Sequence, residues 1–340
     1  MSYIKIDSAS YFHNLNLLSK KLGSIDRLAV VLKDNAYGHD KQIIAKLASD
    51  FGVKRAVVKN LNEANTVRDF FEKVTVLYDK PTTKIEKKIS VTMNSIQALK
   101  TVFDDTNIEL KIDSGMHRNG IDPSEIERSF KIIKERRLNL VGVLTHFGSA
   151  DDLSSELFWQ IKNWQEIKQK VLSQIKKYNL PKPLFHSANS ATLLRVNSYE
   201  DDFARCGIAT YGYSEMDKIF GEFNLKPVMS LWGERVSTRE LLPSQRVGYG
   251  GVFKSLKSMI ISTYDIGYGD GFFRYDGLGN LKTACEKNIC GRVSMDFMSI
   301  DSNHDEICIF DDARKLAKYF GTITYEITTK LSPFIKRVVV

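Results

Sequence analysis

The sequence predicts an α/β protein with an N-terminal (β/α)8 barrel of the TIM type and a C-terminal β-rich domain. Three observations carry this. Short apolar runs alternate with helical patterns through the first two thirds of the chain, which argues for a parallel sheet; so many repeats favour a closed barrel over an open sheet. After about Lys226 the pattern changes to shorter strand-like pieces. Polar residues able to do chemistry recur just behind the apolar runs of the first region, where barrel proteins assemble their sites.

Taken in order, Tyr3 to Ile6 is strand-like but precedes the barrel pattern, and is grouped with the second domain. Tyr11, Leu15, Leu18 and Leu22 then fall at i, i+4, i+7 and i+11, a helical stripe closed by Gly23. Leu28 to Leu32 is a continuous apolar run, and β-branched Val30 and Val31 favour a strand covered on both faces over a short helix. Further barrel strands are expected at Ala56–Val58, Val74–Leu77, Ile108–Ile112, Leu140–Leu144, Leu184–Phe185 and Phe203–Ile208, with helical patterns between most of them. Later strand-like pieces are Glu234–Ser237, Met259–Asp265, Gly291–Ile300 and Glu306–Phe310. The barrel is accordingly bounded at 8–225, and the β-rich domain at 226–340 together with 1–7.

Composition narrows the function. A chain of 340 residues suits about two domains, and 43% apolar with 11% aromatic residues supports real cores. The formal charge of +8 comes from lysines and arginines interleaved with acids. Lys84–Lys88 and Lys134–Arg137 are short enough to be solvated helix faces, and no basic stripe interleaved with aromatics appears, so no nucleic-acid partner is expected. Cys206, Cys285, Cys290 and Cys308 lack paired spacing, which reads as reduced thiols without a metal site. The amino terminus lacks a signal pattern and no apolar run approaches the ~20 residues of a membrane span, so a cytoplasmic protein with no membrane partner is expected.

The most informative stretch is Ala29–His39. Its apolar run ends on Lys33, at the strand's carboxyl end, and continues into Asn35, Tyr37, Gly38 and His39, a dense set of turn-forming and hydrogen-bonding groups. A strand-terminal lysine alone is most often solvated; this company makes it a candidate cofactor anchor. Comparable clusters follow later runs: Lys111 to Gly120 with Arg118, Thr145 to Asp151 with His146, His186 to Ser190 with Asn189, and Arg205 to Ile208 with Gly207. The second region adds Val247 to Gly251, Ile266 to Gly271 and Gly291 to Asp296.

With these ordered motifs the chain resembles the alanine racemase family from end to end. The resemblance implies a pyridoxal 5′-phosphate enzyme that interconverts L- and D-alanine by two-base proton transfer, supplying D-alanine for the bacterial wall. It also implies a homodimer with shared sites and a small amino-acid substrate. Lys33 would form the Schiff base and act as one proton-transfer group, which requires a lysine whose pKa is lowered by burial or nearby cations. Tyr249, from the other subunit, would be the second base on the opposite face, helped by neighbours such as His146 and Arg205. Arg205 would face the pyridine nitrogen and, being unable to release a proton readily, would leave it largely unprotonated. Tyr37, Asn189, Ser190, Gly207 and Ile208 would hold the cofactor, chiefly at its phosphate. Arg118 would meet the cofactor's phenolic oxygen and the substrate carboxylate, beside a Lys111 that resembles a carbamylated lysine. Tyr268 and Met295 would line the substrate end.

Departures from the family pattern are also visible. A phosphate-binding tyrosine expected near the carboxyl terminus is replaced by Pro333, with Tyr325 nearby; Asp34 and Asp40 stand where smaller residues are common; and His117 replaces a frequent glycine. A racemase of broader specificity acting on serine or lysine, a non-catalytic pyridoxal-phosphate binder and a related decarboxylase are the rival readings.

Overall fold

The computed structural model describes residues 1–340. After β1 (Tyr3–Ile6), eight parallel strands follow: β2 (Leu28–Val31), β3 (Arg55–Val58), β4 (Lys73–Val76), β5 (Ile89–Met93), β6 (Asn107–Lys111), β7 (Asn139–Leu144), β8 (Leu184–His186) and β9 (Ala204–Cys206). Each of β2 to β8 pairs with its sequence neighbour, and β9 returns to pair with β2, Val30 opposite Cys206. Two hydrogen bonds join the remaining ends, from Asp202 N to Phe185 O (2.8 Å) and from Arg205 N to Ala188 O (2.9 Å), so the sheet closes on itself. All four residues of β2 are buried, as an all-apolar strand with helices outside and side chains inside must be.

The first helix spans Ser8–Leu22. Asp7 caps its start by accepting from Ser10 N (2.9 Å), Gly23 ends it at φ 78°, and its stripe of Tyr11, Leu15, Leu18 and Leu22 is buried. Strand β5 has no counterpart among the expected strands, because Ser90 and Thr92 interrupt its apolar character. Ser90 turns inward to a polar partner inside the barrel, so its polarity is not a mark of exposure. The expected strand Phe203–Ile208 is shortened to β9, since Gly207 (φ −110°, ψ −89°) leaves the extended region and Ile208–Tyr211 forms a 3₁₀ turn. Lys84–Lys88 lies in a loop rather than on a helix, whereas Lys134 belongs to the last turn of the helix Ile126–Glu135.

The second domain is organised around the 13-residue β10 (Met229–Leu241), which contains the shorter strand expected at Glu234–Ser237. It pairs antiparallel with β1, Ile4 opposite Leu231; after a small hairpin of β11 (Arg246–Val247) and β12 (Phe253–Lys254), it also pairs with β13 (Met259–Tyr264) and β15 (Glu306–Phe310). β16 (Lys336–Val339) runs parallel to β1, so the two ends of the chain lie side by side in this sheet. Of the expected strand Gly291–Ile300 only β14 (Met298–Ile300) is extended; the rest is a loop. No helix is long and apolar enough to cross a membrane.

Candidate active site

Lys33 follows β2, and the backbone then does something rare. Asp34, Asn35, Ala36 and Tyr37 all have φ between 53° and 55°, one turn of left-handed helix built without a glycine. Each such residue costs roughly 1–2 kcal/mol, so the turn must be held from outside. Asn35 Oδ1 accepts from Lys41 N (3.0 Å), Asp40 N donates to Asn35 O (3.1 Å), and His39 Nδ1 bonds the carbonyls of Ala36 (3.0 Å) and Tyr37 (3.1 Å). Burial lowers His39 to a pKa of about 3, so its ring is neutral and Nδ1 carries the proton. It stacks on Tyr211, 4.4 Å between ring centres.

This turn also explains the two aspartates. Asp40 caps the helix Lys41–Asp50, accepting from Gln42 N (2.9 Å) and Ile43 N (3.1 Å), and Asp34 pairs with Lys59 at 2.8 Å at the exposed mouth. Gly38, at φ 86°, lies against the helix Thr324–Thr329 of the second domain; a Cβ there would sit 2.0 Å from Thr328 O. Gly38→Ala should therefore destabilise the chain by about 3 kcal/mol or more, read as a lower denaturant midpoint at unchanged slope; an unaltered midpoint would refute the packing argument.

Lys33 opens into a cavity of about 420 Å³ at the carboxyl ends of the barrel strands. All ten residues singled out in the barrel motifs line it: Lys33, Tyr37, Lys111, Arg118, His146, Asn189, Ser190, Arg205, Gly207 and Ile208. The Lys33 amine has neither an ion pair nor a hydrogen bond; burial lowers its pKa, with Arg118 and Lys59 adding to the effect and Asp34 opposing it. Burial, then Arg118 and Arg205, bring Lys111 down to about 8. His146 is held well below its usual value by burial and the same two arginines. The cavity thus concentrates positive potential and lowers the pKa values of the lysines that face it.

The turn that carries Arg118 is tied by Asp113, whose Oδ1 accepts from the amides of Gly115 (2.9 Å), Met116 (3.0 Å) and His117 (3.2 Å). His117 itself has φ 55°, a conformation that glycine adopts more easily. Lys111 donates a hydrogen bond to Asn119 in the same loop. Opposite, Asn189 caps the helix Ser190–Arg195 by accepting from Thr192 N (2.9 Å). That frees Ser190 from capping, and its Oγ instead accepts from the amides of Gly207 (3.1 Å) and Ala209 (3.3 Å). A Cβ on Gly207 would lie 2.5 Å from the Tyr37 hydroxyl, so only glycine lets that hydroxyl approach the backbone here.

Tyr325 lines the cavity with its ring 5.7 Å from that of Tyr37, whereas Pro333 does not reach it. The position expected from the residue order lies too close to the carboxyl terminus; the signal that would have found Tyr325 is Thr324-Tyr325-Glu326, at the start of the short helix that rests on Gly38. Asn94, Asn119 and Asp151 also line the cavity and were not singled out as site residues.

Tyr249, Tyr268 and Met295 are not brought to this cavity. They lie together on the second domain: Tyr268 N donates to Ser294 O (3.0 Å), Gly269 N to Met295 O (2.8 Å), and Gly248 and Gly250 approach Arg292. All three are exposed within one chain, at 69%, 39% and 55%, and Phe297 beside them at 42%. Apolar exposure on this scale marks a surface built to be covered.

A barrel with a cationic, lysine-bearing cavity at the carboxyl ends of its strands, to which a second domain adds Tyr325, is the layout of a barrel enzyme acting on anionic small molecules. The chain belongs to the alanine racemase family: residues 6–215 match the model "Alanine racemase, N-terminal domain" and residues 228–339 match "Alanine racemase, C-terminal domain". It is 48% identical to the alanine racemase of a Nitratiruptor species over 337 residues, 99% of each chain. It is 44% identical to that of Campylobacter concisus over 337 residues, again 99% of each. Among solved structures it resembles the Bacillus anthracis alanine racemase with bound L-Ala-P, at TM-score 0.88 and 28% identity, covering 100% of this chain and 95% of that one. The Acinetobacter baumannii alanine racemase gives TM-score 0.81 at 25% identity, covering 100% and 99%.

Proposed function

We propose that the chain interconverts L- and D-alanine with bound pyridoxal 5′-phosphate, in a homodimer whose sites each combine both subunits, and that it supplies D-alanine for peptidoglycan in the cytoplasm. The observation that carries this is the half-buried, unpaired amine of Lys33 in a cavity ringed by Lys111, Arg118 and Arg205.

The residues present fit the cofactor. A dianionic phosphate suits the end where Tyr37, Ser190, Tyr325 and the backbone at Gly207 and Ile208 converge, and Gly207 keeps that end open to close approach. Arg205 would face the pyridine nitrogen, His146 and Asn189 would line the ring, and Lys33 would tether the aldehyde. When bound, the cofactor withdraws electrons from the substrate's α-carbon and so acidifies its α-proton.

Lys33, once released by substrate, would hold or deliver that proton on one face. Its lowered pKa raises the share of neutral amine that can accept it. Tyr249 of the partner subunit would serve the other face, with Tyr268 and the Met295 amide of the partner subunit closing the substrate end. Arg118 would orient the substrate carboxylate. A carbamate on Lys111 would hold Arg118 by charge, and a lysine brought to about 8 offers the neutral amine that carbon dioxide needs. Native mass spectra should then be heavier by one carbon dioxide with bicarbonate than without; identical masses would reject the modification.

The direct test incubates the protein with L-alanine in deuterated water. Optical activity should vanish while α-deuterium enters the product; a chain inactive on alanine and on every other amino acid tried would defeat the proposal.

A further inference from the structure

One buried charge in the barrel has no part in the chemistry above. Glu109, on β6, is only 5% exposed and accepts three hydrogen bonds: from Thr75 Oγ1 of β4 (2.7 Å), Ser90 Oγ of β5 (2.5 Å) and His186 Nε2 of β8 (2.8 Å). No lysine or arginine bonds its carboxylate. On the other side of the same imidazole, His186 Nδ1 lies 2.7 Å from Arg205 Nη1.

The donor and acceptor chemistry fixes the protons. An ionised carboxylate only accepts and a guanidinium only donates, so His186 carries its proton on Nε2 and presents a lone pair at Nδ1. A doubly protonated ring would set two donors against each other at 2.7 Å. Burial alone favours a protonated Glu109, but the contact with His186 and the hydroxyls of Ser90 and Thr75 outweigh it and hold the carboxyl below its ordinary value. Burial lowers His186 also, consistent with a neutral ring.

Arg205 needs this arrangement. Besides His186 Nδ1, its donors reach only carbonyls: His186 O (2.7 Å), Thr145 O (2.6 Å) and Ser187 O (3.1 Å). No carboxylate touches the buried guanidinium, and Glu109 stands one imidazole away. Glu109 also lines a separate cavity of about 100 Å³ at the amino-terminal end of the strands, together with Arg55, Lys73, Lys87 and Lys88.

We propose that Glu109 is a positioning residue that acts through His186, fixing the imidazole tautomer that holds Arg205 and supplying the buried negative charge that offsets the guanidinium at the cofactor site. This rests on the reading that Arg205 faces the pyridine nitrogen. It assigns a function to a carboxylate on the far side of the barrel core from the substrate.

Two measurements test it. In the chain without cofactor, ¹⁵N-histidine spectra should show His186 as the Nε2–H tautomer across about pH 6 to 9, the range that spans an ordinary imidazole's titration, and Glu109→Gln should erode that preference. A wild-type ring protonated on Nδ1, or on both nitrogens, overturns the proposal, and this holds even if the variant fails to fold. In the chain loaded with pyridoxal phosphate, the midpoint of the visible-band pH titration should fall by about one unit in Glu109→Gln, the order of shift that one buried charge produces, with Glu109→Asp in between. A Glu109→Gln chain that binds the cofactor and titrates like wild type overturns this inference alone. A wild-type chain that takes up no pyridoxal phosphate overturns the functional reading, and the inference with it.

Discussion

Lys33→Ala should lower racemisation by at least about 10³-fold, since in the proposed mechanism one change removes the tether for the cofactor and one of two proton-transfer groups. Adding pyridoxal phosphate should not restore it. A small amine that fits the cavity should recover part of the proton transfer. Fold should be little affected, because the amine makes no ion pair or hydrogen bond and its one aromatic neighbour, the Tyr37 ring, is 5.8 Å away. The comparison to make is turnover in both directions against thermal unfolding. A Lys33→Ala chain that keeps more than a tenth of wild-type turnover would remove Lys33 from the chemistry.

Tyr249→Phe should be nearly as damaging, with a different signature. If Tyr249 serves only one face, the variant should still exchange the α-proton of one alanine enantiomer with solvent while failing to invert it. Loss of exchange from both enantiomers would contradict the division of labour between the two bases. The proposed sharing of sites between subunits adds a sharper outcome. Mixing Lys33→Ala chains with Tyr249→Phe chains and allowing subunits to exchange should regain about a quarter of wild-type activity, because half the dimers are mixed and each holds one intact site of two. If both bases of a site belonged to one chain, every mixed site would remain defective and no activity would return. The exposed cluster of Tyr249, Tyr268, Met295 and Phe297, distant from its own chain's cavity, motivates this experiment.

Much of this was legible in the residue order. A strand such as β2, apolar at every position, announces itself, and so does a helix with a buried stripe and a glycine stop. Other elements were hidden for physical reasons. β5 carries Ser90 and Thr92 because the barrel interior there holds a buried carboxylate, so polarity that usually signals solvent signals a partner instead. Gly291–Ile300 reads as a strand by composition, yet most of it is a loop that the Gly267–Gly269 segment packs against, which no local pattern foretells. Whether Tyr325 reaches the cavity stayed open in the residue order, because a residue's distance from the carboxyl terminus says little about where a short helix will dock.

By itself the sequence determined the barrel, the second domain, and the set of barrel residues that share a cavity, because strand ends are local features and a closed sheet sends them all to one rim. Only the tertiary structure decided how those residues are tuned. The left-handed turn after Lys33 depends on Tyr211 and on the helix at Thr328. Tyr325 reaches the cavity from the other domain, and His186 is hydrogen-bonded to Glu109, 77 residues away in the chain. Proton positions, pKa shifts and strain arise from contacts between residues distant in sequence, and those exist only once the chain has closed the barrel.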